Sequence, residues 1–307
     1  MRTVRLRIAL AVITLGLTAA CSATGTRVAE IRPLTDLAPT ELPAAFVDGF
    51  VFVQGMVNDA PPVWMLLDTG DEASSIDPDY ARSLGLVLGH GRAIRGFGDD
   101  GGESFETRVA RLRIGAAAGH DLPFLAHPMA GITGPDGEPV SVVVGYSFLA
   151  GRTLILNYSQ KTAVLVRSSG AVRAHDLPMD LRQGLPIVTA RVGGQPARLL
   201  IDTGGAYRLL LDSKAAVAMG LGAGMESATP VTGTGAAGKA LVRVGRGPDL
   251  DLGCVRDLEP VTVYAGFGVS DVDAVGAVGK DLLASYTVTF DYGAGIFRLS
   301  CDPALDF

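Results

Sequence analysis

Met65-Leu66-Leu67-Asp68-Thr69-Gly70 is written a second time as Leu199-Leu200-Ile201-Asp202-Thr203-Gly204. Each copy is an apolar strand ending in a carboxylate, and the glycine after Asp-Thr lets the backbone turn where a side chain would clash. A single Asp-Thr-Gly reads as an ordinary strand-to-loop turn whose Asp bonds local backbone N–H groups. The pair is what decides the fold. Asp68 and Asp202 are 134 residues apart, and so are Gly145 and Gly279, which close the echoed segments Val142-Val143-Val144-Gly145 and Gly276-Ala277-Val278-Gly279. The same spacing relates Leu156-Asn157-Tyr158 to Phe290-Asp291-Tyr292. A repeat this long is a domain duplication, not a solenoid.

Working outward, each motif strand is fed by a hairpin. Phe50 to Val57, the turn Asn58-Asp59-Ala60-Pro61 and Val63 to Leu67 make the first. Ile187 to Val192, Gly193-Gly194-Gln195-Pro196 and Ala197 to Ile201 make the second. After each motif the punctuation of a short helix appears. Asp77-Pro78 and Asp212 supply N-caps, and Gly85 and Gly220 close the helices. Next come two glycine-punctuated hairpins, with Gly96, Phe97 and Gly98 in the first and Gly233, Thr234 and Gly235 in the second. Neither continues into the helix that a dinucleotide-binding glycine loop requires.

Two Asp-Thr-Gly strands, a glycine hairpin after each and an apolar-apolar-Gly segment late in each copy resemble the retropepsin-like aspartic proteases. With both copies in one chain, the layout is similar to pepsins, with the short lobes of the retroviral-type enzymes. The resemblance covers everything from Phe46 to the C-terminus. It implies a mostly β, two-lobed fold in which each lobe is a closed, barrel-like sheet with one or two short helices. Asp68 and Asp202 would be catalytic, Thr69 and Thr203 would lock the two loops across the lobe interface, and Gly70 and Gly204 would let the loops approach. The hairpin residues Gly96, Phe97, Gly98, Gly233, Thr234 and Gly235 would cover the substrate.

Two residues depart from the family pattern. The position after Asp-Thr-Gly, usually Ser or Ala, is Asp71 in one copy and Gly205 in the other. Asp71 is expected either to stand as a third carboxylate near the pair or to face solvent or a basic substrate side chain; Gly205 offers no side-chain hydrogen bond. Neither hairpin carries the tyrosine expected of a pepsin flap.

Composition fits. In 307 residues, 48% are hydrophobic and 19% charged, enough for two modest cores, and the 40 glycines suit turn-rich β structure. A net charge of −6 without a Lys/Arg cluster argues against nucleic acid as a partner. Gly145-Tyr146-Ser147-Phe148-Leu149 lacks the second glycine of a nucleophile elbow. His90, His120, His127 and His175 show no metal-ligand spacing and are read as surface or loop residues. The chain lacks the long helices that alternate with such strands in actin-like ATPases. The reading requires neither metal nor cofactor.

The expected organisation is a signal peptide over 1–20, a tether over 21–45, lobe one over 46–167, a linker over 168–180 and lobe two over 181–307. Arg2, Arg5 and Arg7 precede an apolar run from Ile8 to Leu17 and a small-residue site ending in Cys21. The run is too short to span a bilayer. Cys21 after two alanines resembles a bacterial lipoprotein box, although Leu17 lies four residues before the cysteine instead of the usual three. Cys254 and Cys301 either form a disulfide in lobe two or remain buried thiols.

The expected activity is an aspartic endopeptidase acting on extended peptides, monomeric because both aspartates lie in one chain, exported to the periplasm and held to a membrane by a lipid on Cys21. The competing reading is a fold that keeps its cleft and binds peptides by strand addition without cleaving them. On the first reading the mature protein is found in the membrane fraction and Cys21→Ser releases it. Wild-type protein already soluble in the periplasm, or a mature N-terminus elsewhere by mass spectrometry, would remove the anchor.

Overall fold

The computed structural model describes residues 39–94, 98, 102–129, 131–266 and 273–301. The leader, Cys21, the tether up to residue 38, and Gly96 and Phe97 of the first hairpin lie outside them. The described chain is mostly β and forms two lobes related by the repeat.

In lobe one, Phe50–Val57 alternates faces, so that Val51, Val53 and Val57 enter the main core while Phe52 packs on the opposite side with Leu66, Val140 and Val143. Val63–Leu67 is likewise buried on both faces, as its continuous apolar sequence requires. These two strands begin a ring that runs on through Val142–Val144, Ser75–Ile76, Ala117–Ala126 and Glu103–Ile114 and returns to Phe50–Val57. Six strands thus close into a barrel without a free edge. The parallel pairing of Leu66 with Val143 and Leu67 with Val144 explains why motif and valine segment occur together in the sequence. Lobe two repeats this pairing, with Leu199–Asp202 beside Gly276–Gly279. There the long strand is interrupted at Gly247-Pro248. Gly238–Arg246 pairs with Thr229–Gly235 and Val261–Ala265, while Leu250–Leu252 turns to pair with Ile187–Val192.

The expected helices form at Pro78–Ser83 and Ser213–Ala218. Asp77 and Asp212 each accept two backbone N–H groups of the first turn, and Gly85 and Gly220 take the positive φ that ends each helix. Among the described residues lobe two holds three short helices, one more than expected, because Gly222–Ser227 follows Ser213–Ala218 directly and Lys280–Leu283 caps the Gly276–Gly279 strand.

The lobes are joined by six antiparallel strands in the order Thr40–Glu41, Thr162–Arg167, Arg152–Asn157, Thr287–Asp291, Ile296–Ser300 and Leu177–Asp180. At its centre Ile155 pairs with Thr289, its own counterpart in the repeat, so the pseudo-twofold axis passes through that pair. Two of the sheet's strands fall in segments expected to be connections, Thr40–Glu41 in the tether and Leu177–Asp180 in the linker, while Ala44–Val47, which straddles the expected end of the tether, pairs with Phe50–Val57 in lobe one. Each is short and flanked by prolines or turns, so its pairing partner and not its own sequence makes it a strand.

Cys254 and Cys301 form a disulfide across 47 residues, fastening the turn after Leu250–Leu252 in lobe two to the end of Ile296–Ser300 in the central sheet. It also closes a long loop in the unfolded chain. Replacing both cysteines with serine is expected to lower unfolding free energy by about 2–4 kcal/mol, read by denaturant titration with and without reductant. A wild-type transition indifferent to reductant would show that the bridge contributes nothing.

Candidate active site

The parallel pairings carry both motif strands toward the pseudo-twofold axis and stop them there. Thr69 Oγ1 donates to the carbonyl of Ile201 at 2.7 Å and accepts from the Thr203 N–H at 3.1 Å. Reciprocally, Thr203 Oγ1 donates to the carbonyl of Leu67 at 2.9 Å and accepts from the Thr69 N–H at 3.0 Å. Both threonines are buried, so these four bonds form a closed exchange between the lobes.

The exchange brings the two carboxyls together. Asp68 Oδ1 accepts the Gly70 N–H at 2.7 Å, Asp202 Oδ1 accepts the Gly204 N–H at 2.9 Å, and both carboxyls crowd one point, since a Cβ on Gly70 would stand 3.1 Å from Asp68 Oδ1 and 2.7 Å from Asp202 Oδ1. Glycine is obligatory beside them. A Cβ on Gly70 would lie 2.7 Å from Asp202 Oδ1, and one on Gly204 only 2.3 Å from Asp68 Oδ2. Burial raises the pKa of Asp68 well above the ordinary carboxylate range, and the charges of Asp202 and Asp71 raise it further.

The pair sits on the floor of a cleft of about 760 Å³ between the lobes. Gly98 from one hairpin and Gly233, Thr234 and Gly235 from the other line its roof. The hairpins touch, because a Cβ on Gly98 would fall 2.5 Å from the carbonyl oxygen of Ala237.

The aspartyl protease sequence profile matches residues 53–148 and 188–277, a separate match in each lobe. The chain belongs to that family. No curated protein matches it. Among solved structures it is similar to conglutin gamma, a basic 7S globulin from lupine seeds. That match has 13% identity and a TM-score of 0.47 and covers 87% of this chain and 96% of the globulin.

In this member of the family the two departures from the pattern have different outcomes. Asp71 turns from solvent toward its own loop, where it accepts from Ser75 Oγ at 2.6 Å and the Ala73 N–H at 3.1 Å. Burial raises its pKa in spite of those bonds, and its charge acts on Asp68. Gly205 is filled from elsewhere. The ring of Tyr207 lies where its side chain would be, with Tyr207 Cζ 2.4 Å from a built Cβ, and the Tyr207 hydroxyl donates to Asp202 Oδ2.

Sequence reasoning did not single out Tyr207, whose repeat counterpart is Ala73. The available signal was a tyrosine two residues after the one position where the motif had lost its side chain. His127, in the loop after Ala117–Ala126 as expected, also lines the cleft and acts on Asp71, a role that was not read from the sequence. Arg92, bound to Glu72 at 2.6 Å, stands at the same wall.

Replacing either threonine with valine keeps its shape and strands a buried carbonyl and a buried N–H of the other lobe. Thr69→Val and Thr203→Val are each expected to cost about 2–4 kcal/mol in urea unfolding. The double variant should cost clearly less than the sum, because each single change already breaks the shared exchange. Strict additivity would show two independent turns.

Proposed function

We propose that this protein is an aspartic endopeptidase that hydrolyses peptide bonds with a water held between Asp68 and Asp202. The observation that carries the reading is the approach of two half-buried carboxyls, from two lobes, on the floor of a cleft roofed by two hairpins. Two carboxylates brought this close cannot both ionise, so the pair holds one proton. The ionised carboxyl takes a proton from the water as its oxygen attacks the peptide carbon, and the protonated carboxyl gives its proton to the carbonyl oxygen. The resulting gem-diol collapses. The C–N bond breaks, the proton taken from water passes to the leaving nitrogen, and a hydroxyl proton returns to the dyad, which is restored with one proton.

The cleft walls support an extended peptide as substrate. Both walls carry apolar side chains, Phe50, Leu66, Met129, Ile132 and Val143 from lobe one and Leu185, Leu200, Leu210, Val242 and Val263 from lobe two, and lobe one adds the polar Asp71, Glu72, Ser75, Arg92 and His127. Successive side chains of an extended chain point to opposite sides and would meet these two surfaces in turn. Residues 1–21 support a periplasmic location with a lipid anchor, and one chain suffices for the dyad.

Asp68→Asn and Asp202→Asn are each expected to reduce cleavage of a peptide library by about 10²–10⁴-fold or more, read by mass spectrometry, with the double variant no worse than the weaker single one. Stability changes in a definite direction. Because the pKa of folded Asp68 is raised, both states are protonated below the ordinary carboxylate value, and as pH rises above it the unfolded chain ionises first. Asp68→Asn should therefore raise the melting temperature near neutrality and leave it unchanged below about pH 3. Removing the Asp71 charge should lower the upper limb of the pH–activity curve. Peptide bound but never cut by wild-type protein, or cleavage abolished by a chelator or a serine reagent, would refute the mechanism.

A further inference from the structure

The repeat gives the two aspartates the same tripeptide, the same glycine donor and the same threonine partner. Beyond the tripeptide their surroundings differ. Asp202 has a donor on each oxygen, the Gly204 N–H on Oδ1 and the Tyr207 hydroxyl on Oδ2. For Asp68, the Gly70 N–H bonds Oδ1, and the group facing the rest of the carboxyl is Asp202, which as a carboxylate accepts from a protonated Asp68. Ala73, at the position equivalent to Tyr207, has no hydroxyl, and its N–H is spent on Asp71. We propose that Tyr207 is a positioning residue that decides which carboxyl of the dyad carries the shared proton, holding Asp202 as the base and leaving the proton on Asp68 as the acid.

The packing around Tyr207 is arranged for this one bond. Its ring is wedged between two glycines. A Cβ on Gly205 would lie 2.4 Å from Tyr207 Cζ, and one on Gly279 would lie 2.7 Å from Tyr207 Cδ2. The backbone fixes it as well, since the Tyr207 N–H donates to the Gly205 carbonyl at 3.0 Å and the Tyr207 carbonyl accepts from the Asp281 N–H at 3.2 Å. The hydroxyl is thus delivered from a rigid support, where the family's usual Ser would deliver one from a short side chain. It stays a donor. Burial first, and the charge of Asp202 next, push the Tyr207 pKa well above its ordinary value.

The other charged or titratable groups facing the dyad do not duplicate this effect. Asp71 acts on Asp68 from lobe one and raises its affinity for a proton. His127 and Glu72 act on Asp71 behind it. Tyr292, from the central sheet, feels Asp68. The Lys280 ammonium is held by Asp281 at 2.7 Å and lies over the Phe50 ring. Asp71 and Tyr207 therefore act in the same direction from opposite lobes, one favouring the proton on Asp68 and the other the charge on Asp202.

The proposal rests on the dyad reading above, and its test reads the carboxyls directly so that the two can fail separately. In ¹³C-carboxyl-labelled aspartate NMR of the full chain, assigned with Asp68→Asn and Asp202→Asn, the lower macroscopic step of the dyad should report mainly at Asp202. Tyr207→Phe, which keeps the ring, should raise that step by about one pH unit or more and leave the upper step nearly in place, since a hydrogen bond to a charged group is worth about that much. Site-specific Tyr207→3-fluorotyrosine, a stronger donor, should lower it. In an Asp202→Asn background Tyr207→Phe should not move Asp68. If the protein cleaves peptides, the acid limb of kcat/KM should follow the lower step through the same variants. An unmoved lower step in both Tyr207 variants, or a lower step reporting mainly at Asp68, overturns the proposal. Absence of cleavage by wild-type protein would overturn the enzymatic reading and leave the NMR result standing.

Discussion

Everything at the centre of this molecule depends on holding two carboxyls closer together than their charges allow. In water two such groups would separate or protonate. Here they are fixed by strands that end on a common axis and by the four hydrogen bonds exchanged between Thr69 and Thr203. Each bond contributes about 1 kcal/mol net, so the exchange cannot by itself hold two full charges in a half-buried cleft. One proton between the carboxyls removes most of the repulsion. What remains is offset by the six-stranded sheet joining the lobes, whose Leu154, Leu156, Val288 and Phe290 are wholly buried. The dyad is thus strained by construction, and the sheet beneath it bears the strain.

Much of this was legible in the sequence because duplication prints every constraint twice. The apolar strand, the carboxylate, the threonine and the glycine recur at one spacing, and so do the glycines Gly145 and Gly279, which the loops after the motifs cross. A Cβ on Gly145 would lie 2.2 Å from the Ala73 carbonyl oxygen, and one on Gly279 would lie 2.4 Å from that of Gly205. Helix caps were equally readable, since a capping aspartate acts on groups two and three residues away.

Features that arise only from partners distant in the chain were not legible. Thr40–Glu41 has no strand signal of its own and becomes one by lying against Val164 and Leu165. His127 was legible as a loop residue but not as a cleft residue, because nothing near it in sequence announces that Ala117–Ala126 runs beside Ser75–Ile76 and delivers it to the cleft. Tyr207 was hidden for a different reason. The repeat that exposed the motif invites attention to what is shared, and Tyr207 matters because Ala73 is unlike it.

That last difference bears on how a duplicated fold can do asymmetric chemistry. A perfect twofold places the two carboxyls in identical fields, and a single proton is then shared equally until a substrate breaks the tie. Fusing the copies frees each lobe to diverge. Around the dyad the divergence lies within a few residues of the motif, at Asp71 against Gly205 and Ala73 against Tyr207, and leaves the threonine exchange and the Ile155–Thr289 pair on the axis undisturbed. The division follows from the physics. Symmetry is needed where geometry must be held to fractions of an ångström, because two copies of one loop are matched by construction. Asymmetry is needed only where electrostatics must tell one oxygen from another, and a hydroxyl on one side with a carboxylate on the other achieves that without moving the backbone.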